Sequence, residues 1–285
     1  MGRILSTLQQ AKRVLLGQVN AGRAATVYQD DVFLVSYPKS GNTWIRFLIS
    51  NLVYQDEPVT FANIESRVPS IYMLPDRVLR GFPRPRTLKS HECFMPRYRN
   101  VVYIVRDPRD VAVSYYHYNL KKGLLPPTCS IQDYIPQFLA DELDMRCGAW
   151  GDHVMSWMCM KETRDKFLLL RYEDVLANTE TELARVAQFL NLPITPERLQ
   201  HAVRFSSADR MRDLEKKQGK DWVFAKGMRR DIPFVRAAVS GSWRSSLPLE
   251  SVRKIEAAWG TVMRELGYSL SKDLPTAPRT HQPVS

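Results

Sequence analysis

The sequence predicts a single α/β domain with a mostly parallel central sheet flanked by helices. Three observations carry that expectation. Four short candidate strands lie near residues 32–36, 86–90, 101–105 and 167–171, with helical stretches between them. One run passes through a tight loop straight into an apolar segment, reading VFLVSYPKSGNTW over Val32–Trp44. A second does the same over Val101–Tyr118, reading VVYIVRDPRDVAVSYYHY. At 285 residues the chain buries a good-sized core as one domain.

Residues 1–30 read as an amphipathic segment. Ile4, Leu5, Leu8, Leu15 and Leu16 alternate with Arg3, Lys12 and Arg13. The segment has no compact apolar core and no small-residue cleavage site, so it is not a signal peptide. Met1-Gly2 with Ser6 matches the myristoylation pattern, and a docked terminal helix explains the same residues. Peripheral membrane contact through this end is one expectation. The domain proper is placed at 31–272. The tail 273–285, with Pro275, Pro278 and Pro283, is expected to be disordered.

The first strand, Val32-Phe33-Leu34-Val35, breaks at Tyr37-Pro38 and runs through Lys39-Ser40-Gly41-Asn42-Thr43 into the helical segment Trp44–Leu52. Such a loop aims backbone N–H groups, a lysine and two hydroxyls at one point before a helix N-terminus, an arrangement that binds phosphate. It is not the nucleotide-triphosphate loop G-x-x-x-x-G-K-[ST]. Val101–Val105 reads as a strand buried on both faces. Asp107 is expected as the N-cap of the next helix, with Pro108 at its first position and Asp110 favouring the first-turn N–H groups. Arg106 then stands at a strand C-terminus and Ser114 about two turns into the helix. Strand C-termini share one edge, where ligands collect, so the two can reach the same anion.

Later elements follow the same logic. Thr87–His91 and Phe167–Asp174 are strand ends. Thr179-Glu180-Thr181-Glu182 is expected to open a helix as a capping box, with Leu183, Val186, Phe189 and Leu190 at helical spacing. Pro193 and Pro196 separate it from a helix at Glu197–Arg204. Ser251–Leu266 is the last helix, with Val252, Ile255, Trp259, Val262 and Leu266 on one face and Gly267 at its end.

Net charge is +11, which suits nucleic acid, a membrane surface or acidic small ligands. Residues 210–236 carry nine Lys/Arg against four Asp/Glu, read as a basic loop covering a polyanion or as a solvated face. No nucleic-acid-reading module is present, so no nucleic acid partner is expected. Cys93, Cys129, Cys147 and Cys159 form no C-x-x-C pair, which points to a reduced, cytoplasmic protein without a metal site. No window of the length and apolarity of a transmembrane helix occurs.

Two motifs together carry a family resemblance. PKSGNTW resembles the phosphosulfate-binding loop of the sulfotransferases that use 3′-phosphoadenylyl sulfate. Val101–Tyr118 resembles their 3′-phosphate element, in which an arginine and a serine stand eight positions apart, here Arg106 and Ser114. Lys89-Ser90-His91 resembles the strand end that carries the catalytic histidine. Tyr172 resembles a tyrosine of the adenine region, and Gly148–Trp157 a helix beside the acceptor pocket. The resemblance spans about residues 32–267.

It implies sulfuryl transfer to a hydroxyl or amine of a small-molecule, lipid or glycan acceptor, with adenosine 3′,5′-bisphosphate as the other product. In that reading His91 is the general base. Lys39 neutralises the leaving phosphate and Lys89 assists on the sulfonate. Ser40, Gly41, Asn42 and Thr43 hold the 5′-phosphate, and Trp44 stacks on adenine. Arg106, Ser114 and Arg236 meet the 3′-phosphate, with Tyr172 and Ser206 lining the nucleotide site. No metal is required. Three departures stand out. Arg236-Ala237-Ala238 replaces an Arg-Lys-Gly, and Ser206-Ser207-Ala208 replaces a Thr-Ser-Phe. The family's dimer segment is not recognisable in Arg244–Glu250, which puts that dimer in doubt. Two alternatives stay open: a nucleotide-dependent kinase using Thr43 and Asp107, and a catalytically silent anion- or glycan-binding module.

Overall fold

The computed structural model describes residues 20–142, 148–161, 166–218, 227–229, 231–235 and 239–273. The N-terminal amphipathic segment up to residue 19, Cys147, Arg236 and the tail beyond 273 lie outside the described residues.

Among the described residues, four parallel strands form one sheet: β1 (Val32–Ser36), β2 (Thr87–Ser90), β3 (Asn100–Val105) and β4 (Lys166–Arg171), in the order β2-β1-β3-β4. Register aligns Val32 with both Thr87 and Asn100, and Asn100 with Lys166. All four C-terminal ends therefore open on one edge. The main helices are α1 (Asn42–Val53), α2 (Pro108–Lys122), α3 (Ile131–Leu139), α4 (Trp150–Met158), α5 (Tyr172–Ala177), α6 (Thr179–Phe189), α7 (Pro196–Phe205), α8 (Ala208–Gln218) and α9 (Leu249–Glu265).

Strand periodicity sorts the helices onto two faces. Phe33, Val35, Val101, Tyr103 and Val105 point to the side covered by α2, α3, α4 and α9. Val32, Leu34, Val102 and Ile104 point to the side covered by α1, α6 and α7. Every β1 residue is buried, as expected of a strand covered on both faces. The chain after β1 goes to one face and the chain after β3, its neighbour, goes to the other. This is the topological switch point where a parallel sheet forms a ligand crevice.

Several elements differ from the sequence expectation. Thr179 is not a capping residue: α6 follows α5 with only Asn178 between, and the Thr179 hydroxyl donates back to the Val175 carbonyl, 2.8 Å away. The N-cap position falls on Asn178, whose backbone is non-helical (φ −137°), one residue before the expected cap, and no side chain closes a capping box. The stretch from residue 210, read as loop, begins as helix α8, because ADRMRDLEKKQ is rich in strong helix formers and Met211 is buried. Asp110 stands in the first turn of α2, as expected, and in addition ties that turn to a distant segment. Its carboxylate accepts from Gly241 N (2.6 Å), Ser242 Oγ (2.9 Å) and Trp243 N (3.0 Å). Asp107 caps α2 through Arg109 N at 2.9 Å, with Pro108 following. No helix among the described residues is long and apolar enough to cross a membrane.

Candidate active site

The loop between β1 and α1 turns on two left-handed residues, Lys39 (φ 69°) and Gly41 (φ 91°). Gly41 stands at the N-cap of α1 and brings no capping side chain. The N–H groups of the first helical turn have no acceptor inside the helix and point out of the sheet edge. Ser40 is fully buried, and its Oγ has no hydrogen-bond partner. Asn42 Nδ2 donates to Ser36 Oγ (3.1 Å), which ties the loop to the end of β1. Thr43 is half-buried at the same turn.

Tyr172, at the end of β4, packs directly on the loop. A Cβ on Gly41 would come within 2.3 Å of its ring, so only glycine admits this contact. The Arg106 guanidinium stacks over the same ring at 4.2 Å, and Trp44 meets it edge-on with centroids 5.6 Å apart. Arg106 also donates to the carbonyls of Lys39 (3.5 Å) and Val239 (3.0 Å), while its buried Nε has no partner. Burial of Tyr172 pushes its phenol pKa up. Ser206 stands behind Trp44: its carbonyl accepts the indole N–H at 3.0 Å, and its buried Oγ accepts from Asn51 Nδ2 at 3.0 Å.

Lys39 and Ser114 line one small cleft together with His117, Tyr118, Lys121 and Phe234. The Lys39 ammonium lies 4.2 Å from the Tyr118 ring centroid and 4.4 Å from that of Phe234. Glu215 on α8 holds Phe234 there by accepting from Phe234 N (2.6 Å) and Val235 N (2.8 Å).

His91 follows β2. Its Nδ1 lies 2.7 Å from the Ser36 carbonyl oxygen. A carbonyl can only accept, so Nδ1 carries the proton and the Nε2 of the neutral ring carries the lone pair. The Tyr72 ring lies nearly parallel to the imidazole, at 13° and 6.3 Å. Tyr72 Oη accepts from His91 N (2.9 Å) and donates to Glu92 Oε1 (3.1 Å). Lys89 is buried, with Nζ 5.4 Å from the Tyr72 ring.

The structure thus gathers Lys39, Ser40, Gly41, Asn42, Thr43, Trp44, Arg106 and Tyr172 at one strand edge, with Ser114 beside Lys39 and His91 against Ser36. Ser206 reaches this group only through Trp44. Sequence reasoning missed Ser36, Tyr72, Tyr118, Phe234 and Glu215. Tyr118 had a usable signal, since it lies one helical turn after Ser114 on the same face. Phe234 had none, because it comes from an irregular segment.

Comparison with known proteins identifies the family of the chain. The sulfotransferase domain family matches residues 29–267. Sulfotransferase 1B1 of Mus musculus is 26% identical over 87% of this chain and 87% of its own. Sulfotransferase 2B1 of Homo sapiens is 28% identical over 84% of this chain and 67% of its own. Among solved structures, mouse sulfotransferase SULT7A1 complexed with PAP superposes with a TM-score of 0.71 at 25% identity, covering 87% of this chain and 90% of that one. A retinol dehydratase structure shares the fold, with a TM-score of 0.72 at 19% identity over 87% of this chain and 85% of that one. On the strength of a match that covers the sheet, the loop and both motif segments, this chain belongs to the sulfotransferase family.

Proposed function

We propose that this enzyme transfers a sulfonate from 3′-phosphoadenylyl sulfate to a hydroxyl or amine of a small-molecule, lipid or glycan acceptor. One observation carries the assignment of the donor site. Ser40 Oγ and Arg106 Nε are both buried without a partner, one in the loop after β1 and one at the end of β3. Buried donors are normally satisfied, and a missing partner calls for an explanation. A ligand with two separate phosphate groups supplies acceptors for both. When bound, 3′-phosphoadenylyl sulfate provides the reactive sulfonate on a phosphate leaving group.

The residues then divide the work. The N–H groups of Ser40 to Thr43, with the hydroxyls of Ser40 and Thr43, hold the 5′-phosphate at the α1 N-terminus. Arg106 and Ser114 grip the 3′-phosphate, and Trp44 and Tyr172 wall the adenine. Arg236 and Ser206 belong to the same nucleotide site in this reading, Ser206 by holding the Trp44 indole. Lys39 places positive charge on the leaving phosphate and Lys89 on the sulfonate, so that both meet charge that grows during transfer. His91 takes the acceptor proton at Nε2, because Nδ1–H is committed to the Ser36 carbonyl.

Lys39 lies over two aromatic faces, which together offer an ammonium about 1–2 kcal/mol at an exposed site. A charge-assisted hydrogen bond is worth about 1.5–3 kcal/mol, so a phosphate oxygen within reach competes with the rings for Lys39. Incubation with 3′-phosphoadenylyl sulfate, ATP or neither, against a panel of phenols, alcohols and amines, tests the reading. Adenosine 3′,5′-bisphosphate with sulfated acceptor supports it. ADP formation, or no turnover across the panel, contradicts it.

A further inference from the structure

His153, on α4, is fully buried and stands outside the groups that face the loop. Its Nδ1 lies 2.8 Å from the Tyr103 hydroxyl, and its Nε2 lies 3.2 Å from the carbonyl oxygen of His91. The carbonyl only accepts, so Nε2 carries the proton and Nδ1 accepts from the Tyr103 hydroxyl. Tyr103 is a fully buried residue in the middle of β3. A chain of two hydrogen bonds therefore runs from the centre of the sheet to the backbone of His91.

The neighbours of His153 act on the same stretch. Trp157 Nε1 donates to the Glu92 carbonyl at 3.0 Å. Ser156 Oγ accepts from Phe94 N at 3.0 Å and donates to the His153 carbonyl at 2.7 Å. One face of α4 thus splints residues 91–94. His91 itself is anchored three ways: its imidazole to the Ser36 carbonyl, its N–H to Tyr72 and its carbonyl to His153. The peptide plane that carries the His91 carbonyl is held at its other edge by Glu92 N, which donates to Ser90 Oγ at 3.1 Å. His153 holds the carbonyl edge of that plane, from a residue itself bonded to the central strand β3.

We infer that His153 is a positioning residue for sulfuryl transfer: its Nε2–H holds the His91 carbonyl and so sets where the His91 imidazole stands. The inference rests on His91 being the base. Burial supports the required state of His153, since desolvation lowers its pKa to about 4 and keeps the ring neutral, while the two hydrogen bonds select the tautomer. The expected size of the effect follows from geometry, because a displacement of about 1 Å at a reacting group can cost about 10²-fold in rate.

The full chain is tested with 3′-phosphoadenylyl sulfate and an acceptor returned by the panel above. His153→Gln keeps a donor at the Nε2 position. His153→Asn keeps a polar partner for Tyr103 but does not reach the His91 carbonyl. His153→Asn is expected to lower kcat about 10²-fold, with acceptor KM and affinity for adenosine 3′,5′-bisphosphate little changed. His153→Gln is expected to recover most of that loss. Equal losses in the two variants, or full kcat in His153→Asn, would overturn the inference. Should His153→Asn lose bisphosphate binding, Tyr103→Phe decides: it leaves Nδ1 without its donor and is expected to lower kcat, and an unchanged kcat overturns the inference. His91→Ala separates the two layers. Retained turnover there removes the base, whereas an inactive His91→Ala beside a fully active His153→Asn removes the positioning role alone.

Discussion

The ring of Tyr172 lies so close over Gly41 that a Cβ at Gly41 would stand 2.3 Å from ring atom Cδ2. Gly41 also has a left-handed φ of 91° at the first turn of α1. The loop after β1 and the Tyr172 ring are therefore one packed unit, and the Arg106 guanidinium stacks over the same ring.

Gly41→Ala is expected to damage the site rather than the whole fold. The left-handed conformation costs a residue with a side chain about 1–2 kcal/mol, and the clash with Tyr172 adds to it. Affinity for adenosine 3′,5′-bisphosphate should fall at least tenfold, about 1.4 kcal/mol. Titration calorimetry reads this directly, and unchanged affinity would separate Gly41 from the nucleotide site.

Arg106→Ala and Ser114→Ala should weaken adenosine 3′,5′-bisphosphate far more than adenosine 5′-phosphate. Only the first ligand has a 3′-phosphate for these residues to hold. Loss of the charge-assisted bond from Arg106 should cost at least about tenfold. Equal losses for both ligands would take the 3′-phosphate away from this pair.

Lys39→Met keeps most of the side-chain volume and removes the charge. If the charge matters most as the bond to sulfur breaks, kcat should fall about 10²-fold while donor KM changes far less. Phe234→Leu, which removes one of the two rings beside the ammonium and no charge, should leave kcat close to normal. A raised KM with normal kcat in Lys39→Met would make Lys39 an anchor and nothing more.

Stability should depend on His153 in acid. Burial lowers its pKa to about 4, well under the ordinary imidazole value. Between about pH 6.5 and pH 4 the unfolded chain binds a proton there that the folded chain refuses. Folded stability should therefore be complete above about pH 6.5 and decline by about 3 kcal/mol as the pH falls to 4. Urea unfolding at pH 7, 5.5 and 4 measures the decline, and His153→Gln should show less of it. Identical slopes in the two proteins would contradict the assignment.

Much of this architecture was legible in the chain. The β-branched runs at 32–36 and 101–105 are strands because both faces of the sheet bury them, and burial on both faces erases alternation. Asp107-Pro108 started α2 as expected, since a carboxylate cap and a proline without an N–H suit that position. The hydrogen-bond partners of Asp110, namely Gly241, Ser242 and Trp243, are not legible locally because they are more than a hundred residues away. The same long-range dependence hid Tyr72 and Ser36 around His91, Phe234 over Lys39, and the inward engagement of Ser206 with Asn51. Local spacing identifies which residue types can meet at a sheet edge. It does not identify which side chains from other elements hold them there.

The central claim is that His91, with Nδ1–H committed to the Ser36 carbonyl, takes the acceptor proton during sulfuryl transfer. The most direct measurement compares wild type and His91→Ala for adenosine 3′,5′-bisphosphate release from 3′-phosphoadenylyl sulfate at saturating acceptor, with bisphosphate affinity measured on the same samples. A positioned base contributes about 10²–10⁴ in rate, so release should fall by at least the lower figure while affinity stays near wild type. Turnover retained in His91→Ala at undiminished affinity would contradict the account.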